Sequence, residues 1–304
     1  SSFPSAITLV EILFPFEDDA SQFSSIFCYF HFQFIVFDSN HNIIVFLLFC
    51  YGNDNISSIF YNWSMKITIL TMFPQSFSSL MTFPVIKRAV DRDLLTLEIK
   101  DIKDYAGGSF RHIDDSPCGG GVGMILRLDT LMKALSSSLS PSSHTVLLSP
   151  KGKVYDQKKA REYSTLSDLV LVSGHYEGVD RRFEDHVDEM ISIGDYILTG
   201  GEIPAMVIVD SISRLLKGTI REGATEDESH EKGLLEYPQY TKPVDWNGEK
   251  VPEILLSGNH GAIDEWRETQ ALLDTKRLRP DLFEKHVLTE RERMLLEKSG
   301  GLSS

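Results

Sequence analysis

The 304-residue chain is poor in cysteine. Cys28, Cys50 and Cys118 are its only three, and none has the paired spacing of a metal knuckle or a disulfide framework. A reducing compartment is therefore expected, and a disulfide-stapled secreted scaffold is excluded. Positive charge is also short: 30 Lys and Arg stand against 44 Asp and Glu, a formal net charge of −14. A broad basic surface for nucleic acid is thus absent, and any RNA contact must come from local spots. No apolar run is long enough to span a bilayer. The best candidate, Asn42–Tyr51, has ten residues, and a spanning helix needs about 20.

The first 64 residues lack Lys and Arg altogether, while holding six acids, 12 of the 18 Phe and two of the three Cys. With no basic segment they fit neither a secretory signal nor an Arg-rich transit peptide. An interfacial membrane anchor is the alternative use of so many aromatics. The simpler expectation is a 1–64 extension outside the functional fold, with Met65 as the natural start. A cytoplasmic protein with no membrane partner is expected.

From Met65 the texture becomes that of a packed domain. Met65–Phe73 and Leu95–Ile102 alternate and are β-branched, as strands are. "HTVLLSP" and "DLVLVSGHY" are continuous apolar runs ended by turn residues, the pattern of strands buried on both faces. Helices are expected over Phe77–Asp91, over Ile125–Leu135 and in "DQKKAREYSTL". Strands alternating with helices predict an α/β domain on a mostly parallel sheet over 65–217. Residues 218–233 are polar and Gly-containing, as in a mobile linker. The remainder, 234–304, reads as a small helical domain, with Thr289 and Glu292 at capping-box spacing.

Two glycine patterns compete as the site. "CGGGVG" (Cys118–Gly123) contains Gly-x-Gly-x-Gly, but it follows "DDSP" rather than a strand, so a dinucleotide fingerprint is not supported. A loop able to cover a ligand is the better reading. The stronger pattern is three loops, "LLSPKG" (Leu147–Gly152), "SGHYEGVD" (Ser173–Asp180) and "SIGDYILTGGE" (Ser192–Glu202). Each follows a buried strand, and ligands of open α/β sheets sit outside the carboxyl ends of strands. Gly-rich loops there offer backbone groups to a flat polar ligand.

These segments, "SPKG", "GHYEGVD" and "SIGDYILTGGEIPAMVIVDSISR", are followed by "ATED", "LLEYPQYTKP" and "LLSGNH". In that order and spacing the set resembles the bacterial tRNA (guanine-N1)-methyltransferases of the SPOUT superfamily, over roughly Met65 to Leu296. The resemblance implies a deep trefoil knot, a rare exception to unknotted topology. It also implies S-adenosylmethionine as methyl donor, held at Leu148, Pro150, Gly174, Tyr176, Glu177, Ile193, Gly194, Asp195, Tyr196, Ile197, Leu198, Gly200 and Gly201. Tyr176 and Tyr196 would wall the adenine. Packing in the core is the plainer use of Tyr196 and Ile197, and starting a helix that of Glu177.

The reaction implied is methylation of N1 of guanine 37 of tRNA, with a guanine preceding it. The N1 proton must leave before that nitrogen can attack, so a carboxylate serves as general base. Charge growing on O6 calls for a fixed cation. The resemblance assigns these roles to Asp227 and Arg214. By residue type alone, Asp227 is one acid among several, and Arg214 can pair with Asp210 at i−4. It further implies a homodimer, magnesium support with no metal site named, and RNA contacts at Asp114, at His260 and at basic spots around Lys151–Arg161 and Lys276–Arg279. His175 stands where many relatives have Arg, Cys118 where an aromatic is common, and "ATEDES" carries an extra acid. A non-catalytic RNA- or cofactor-binding module that kept the fold is the alternative function.

Overall fold

Five strands build one sheet, and every pairing in it is parallel. They are β1 (Met65–Thr71), β2 (Leu95–Asp101), β3 (Ser143–Val154), β4 (Asp168–Ser173) and β5 (Glu189–Ser192), in spatial order β2-β1-β4-β3-β5. The computed structural model describes residues 29–35, 45–51, 64–107, 112–221, 228–231 and 233–301. Two units divide the chain, Ser1–Asn62 and Trp63–Ser304. In the first, Tyr29–Ile35 pairs antiparallel with Val45–Tyr51. The sheet and all the helices named below belong to the second.

Alternating side chains commit the sheet to two buried faces, as the apolar runs of β3 and β4 predict. On one face Ile67, Ile69, Leu148, Leu169 and Leu171 pack with α1 (Pro84–Asp91), α3 (Gln157–Ser164) and α4 (Glu202–Ser213). Facing the other way, Leu70, Leu147, Val170 and Val172 pack against Leu131, Ala134 and Leu135 of α2 (Leu128–Ser136) and against Phe183. The result is a three-layer α/β/α body. Within α4 the side chains of Ala205, Ile208, Val209 and Ile212 are fully buried. Each large aliphatic of that set contributes about 1.5–3 kcal/mol of burial.

Two expected helices are shorter than their apolar pattern. Phe77–Asp91 splits into a 3₁₀ turn over Pro74–Thr82 and then α1. Pro84 cannot donate a backbone hydrogen bond and forces Phe83 into extended backbone (φ −75°, ψ 121°), which separates the two. Ile125 and Leu126 do not join α2, because Leu126 is already engaged: its N–H donates to Gly178 O at 3.0 Å and its carbonyl accepts from Asp180 N at 3.1 Å.

The C-terminal residues form α5 (His260–Leu278), α6 (Pro280–Lys285) and α7 (Glu290–Lys298). The capping box is present, with Thr289 Oγ1 accepting from Glu292 N and Glu292 Oε2 accepting from Thr289 N. Arg291 reaches Glu268 at 2.9 Å and joins α7 to α5. Among the described residues no helix is long and apolar enough to cross a membrane.

Candidate active site

The three glycine-bearing loops converge because each interrupts or ends a strand at the same edge of the sheet. β3 pairs with β5 up to Leu148↔Ile191, loops out over 149–152, and resumes at Lys153↔Ile191. Gly152 at the foot of that excursion lies against the backbone of Met190 and Ile191, where a Cβ would collide. Gly201 does the same after β5: its N–H donates to Gly174 O at 2.7 Å, and a Cβ there would lie 2.7 Å from Ser173 Cα. His175 and Gly200 form an antiparallel bridge beside it. These glycines thus serve close passage of one segment past another, which is why they interrupt otherwise β-branched sequence.

Between the loops lies a cleft of about 270 Å³, near the lower bound of small-molecule sites. Twelve of the thirteen residues expected at the cofactor line it: Leu148, Pro150, Gly174, Tyr176, Glu177, Ile193, Gly194, Tyr196, Ile197, Leu198, Gly200 and Gly201. Asp195 is not among the lining residues and faces solvent. Tyr196 and Ile197 are 54% and 81% exposed, so core packing does not account for them. Glu177 starts no helix; it sits in a turn, exposed. Lys151, expected among the basic spots for RNA, pairs at 2.9 Å with Glu184, which the sequence pattern missed, and the two form a wall of the cleft. Nothing in the spacing of Glu184 signals it.

Tyr176 occupies the left-handed region at φ 59°, a conformation uncommon for a bulky residue and typical of ligand sites. Partial burial and then the negative charge of nearby Asp114 raise its phenol above the ordinary range. Asp114 therefore stands close to the cleft wall at Tyr176. The Gly-rich loop reaches the same wall: Met124 O accepts from Glu177 N at 3.1 Å, and a Cβ on Gly123 would meet the Glu177 side chain.

Under the cleft mouth lies a polar cluster that the sequence did not reveal. Buried Thr71 Oγ1, at the end of β1, donates to Glu202 Oε1 at 2.8 Å and accepts from Phe73 N at 3.0 Å. The other oxygen, Glu202 Oε2, lies 3.7 Å from His175 Nδ1, which has no hydrogen-bond partner. The His175 ring stands edge-on to Phe73 and Tyr176, with centroids at 4.9 and 4.8 Å. Position 175 therefore links the floor of the sheet to the cleft wall.

Arg214 ends α4, and its side chain does not take Asp210. It forks onto Glu228, with Nη1 donating to Oε2 at 2.6 Å and Nη2 to Oε1. That pairing is the main cause of a guanidinium held above its ordinary value. Asp227 lies outside the described residues. His260 is exposed at the first turn of α5. Of the basic spots, Lys159 is engaged by Glu162 and Glu189, and Arg161 by Glu231 at 2.5 Å. Glu231 also accepts from Gln157 Nε2 at 2.6 Å.

Residues 65–285 match the family model described as tRNA (Guanine-1)-methyltransferase TrmD. Among curated relatives, the tRNA (guanine-N(1)-)-methyltransferase of Ruminiclostridium cellulolyticum is 47% identical over 226 residues, covering 73% of this chain and 97% of the relative. Those of Desulforudis audaxviator and Geobacillus kaustophilus are 47% and 45% identical, covering 76% and 77% of this chain and 95% and 98% of the relatives. With its parallel sheet, its glycine-threaded cleft and a match over most of its length, the chain belongs to the tRNA (guanine-1)-methyltransferase TrmD family.

Proposed function

We propose that the protein methylates N1 of guanine in tRNA, at position 37 and with a guanine before it, using S-adenosylmethionine. The observation that carries the reading is the backbone-lined cleft at the carboxyl ends of β3, β4 and β5 in a chain of this family. Its chemistry fits the donor. Gly152 and Gly201 let the segments that frame it pass closely, Tyr176 and Tyr196 offer aromatic faces, and Glu177 supplies negative charge for a sulfonium. When bound there, S-adenosylmethionine supplies an electrophilic methyl group. Segments 174–175 and 200–201 pass in backbone contact, as the trefoil knot requires.

The protein's own groups handle the guanine. Arg214 stabilises charge on O6, and a carboxylate of the Asp227 segment removes the N1 proton. α4 begins at the cleft and ends at Arg214. At 1.5 Å per residue those points are about 20 Å apart, so one chain's cleft and its own Arg214 do not meet on one guanine. This supports a homodimer in which one protomer holds the donor and its partner supplies Arg214. Residues 234–304 and His260, with Asp114 from the cleft side, contact the RNA, and 218–233 is the linker between the two parts. A cytoplasmic site of action fits the tRNA substrate. Among the described residues no group of three His, Cys, Asp or Glu side chains can hold a metal, so magnesium, if it supports the reaction, is assigned no residue and no step.

Labelled S-adenosylmethionine, the full chain and two tRNA transcripts test the reading. One transcript carries guanines at 36 and 37; the other has adenine at 37. Methyl incorporation into the first alone, recovered as 1-methylguanine, is expected. Incorporation into both, or into neither while the donor still binds, overturns it.

A further inference from the structure

The glycine-threaded cleft holds little positive charge. Among the described residues that line it, Lys151 is the one lysine or arginine, and the other titratable groups are Glu177, Glu184, His175, Tyr176 and Tyr196. The fold fixes where that ammonium stands. Lys151 lies in the 149–152 excursion of β3, after Pro150, whose ring sets its own φ, and before Gly152, which is pinned against the backbone of Met190 and Ile191. Its backbone N–H donates to Ser149 Oγ at 3.3 Å. Its Nζ donates to Glu184 Oε1 at 2.9 Å, across 33 positions of sequence. Glu184 is anchored in turn: its side chain is only 8% exposed, and it belongs to the short turn Arg181–His186, whose Phe183 is buried in the core. Glu184 Oε2 meets Arg181 Nη1 at 3.5 Å, and Arg181 also reaches Asp185 at 3.0 Å.

We propose that Lys151, held in place by Glu184, receives the carboxylate of the donor's methionine portion, so that the cleft selects a nucleoside carrying an amino acid. The inference rests on the methyltransferase reading above, and it moves Lys151 from the RNA surface to the donor. S-adenosylmethionine joins a flat adenosine to an α-amino acid. Backbone groups and the two tyrosines suit the adenosine, but they offer nothing to a carboxylate. Glu177 and Glu184 on their own would repel one. An ammonium has three hydrogens. Glu184 takes one, which directs the side chain along the cleft wall, and two remain for a second carboxylate. Glu184 keeps its bond throughout, so ligand binding strands no charge in the wall. The Lys151 side chain is 66% exposed, which places the contact at the weak end of charge-assisted hydrogen bonds.

Calorimetric titration of the full chain with S-adenosylhomocysteine and with methylthioadenosine tests the assignment. Neither ligand carries a sulfonium charge, and only the first carries the amino-acid end. Lys151→Met is expected to weaken S-adenosylhomocysteine about tenfold while methylthioadenosine stays within about twofold of the parent. A merely structural defect in the cleft would weaken both. Lys151→Arg keeps the charge and is expected to hold S-adenosylhomocysteine within about threefold. Binding of tRNA to K151M, read by anisotropy, is expected to stay within about twofold of the parent. K151M that weakens both nucleosides equally or neither, or K151R as weak as K151M, overturns the assignment. So does K151M that keeps S-adenosylhomocysteine but loses tRNA, which would return Lys151 to the RNA surface. A parent that binds neither nucleoside overturns instead the function on which the assignment rests.

Discussion

Gly201→Ala tests the claim that a single close backbone passage shapes the cleft. Gly201 has an ordinary backbone conformation (φ −83°, ψ −1°), so alanine carries no dihedral strain there. Its Cβ, however, would lie 2.7 Å from Ser173 Cα and 2.9 Å from Gly174 N. Both are backbone atoms at the end of a central strand, so neither can rotate away. They must move apart by several tenths of an ångström, stretching the 2.7 Å hydrogen bond from Gly201 N to Gly174 O. Overpacking of this kind costs about 1–3 kcal/mol. For a domain of this size that lowers the melting temperature by roughly 2–4 °C per kcal/mol, hence about 2–12 °C. The displaced atoms belong to the cleft wall, so affinity for S-adenosylmethionine falls as well. Gly261→Ala in α5 is the control, since its Cβ would meet only Asn259 Oδ1, at 3.8 Å. It is expected to hold or raise stability by up to about 1 kcal/mol through helix propensity. Thermal denaturation and donor titration read both variants. A G201A protein with parental melting and parental affinity would refute the reasoning.

Two further outcomes follow from polar groups distant in sequence. Burial pushes the Glu189 carboxyl up, but hydrogen bonds from His144 at 2.8 Å and Tyr163 at 2.7 Å, with Lys159 nearby, hold it below the usual range. A depressed carboxyl contributes stability that is complete above its unfolded value, about 4.3, and is lost as pH falls through the folded value. Urea denaturation at pH 7 and near pH 4 should therefore show a smaller acid-induced loss for Glu189→Gln than for the parent; equal losses would count against this linkage. Thr71→Val removes the donor to Glu202 and the acceptor of Phe73 N, and is expected to destabilise by about 1–3 kcal/mol through the unsatisfied groups. Denaturant midpoints check it, and a change under about 0.5 kcal/mol would mean the groups find other partners.

Much of the fold was legible from period and punctuation. Continuous β-branched runs mark β3 and β4 because a strand covered on both faces has no reason to carry polar residues. Thr289 and Glu292 mark the start of α7 because their bonding is local. Pro84 lies inside the expected Phe77–Asp91 helix, and its backbone chemistry splits that segment into a 3₁₀ turn and α1. The cleft was legible for the same local reason: Gly152 and Gly201 stand where no side chain fits.

What sequence alone determined is thus whatever depends on neighbours along the chain: strand and helix periods, caps, glycines that allow passage, and a motif order specific to one family. Tertiary structure decided the pairings between residues far apart, where no spacing carries a signal. Thr71 meets Glu202 across 131 positions, and Glu189 collects His144 and Tyr163 from two other elements. Among several acids in one polar stretch, only folding could select Glu228 for Arg214, because a carboxylate's partner is set by where the chain brings it, not by its identity.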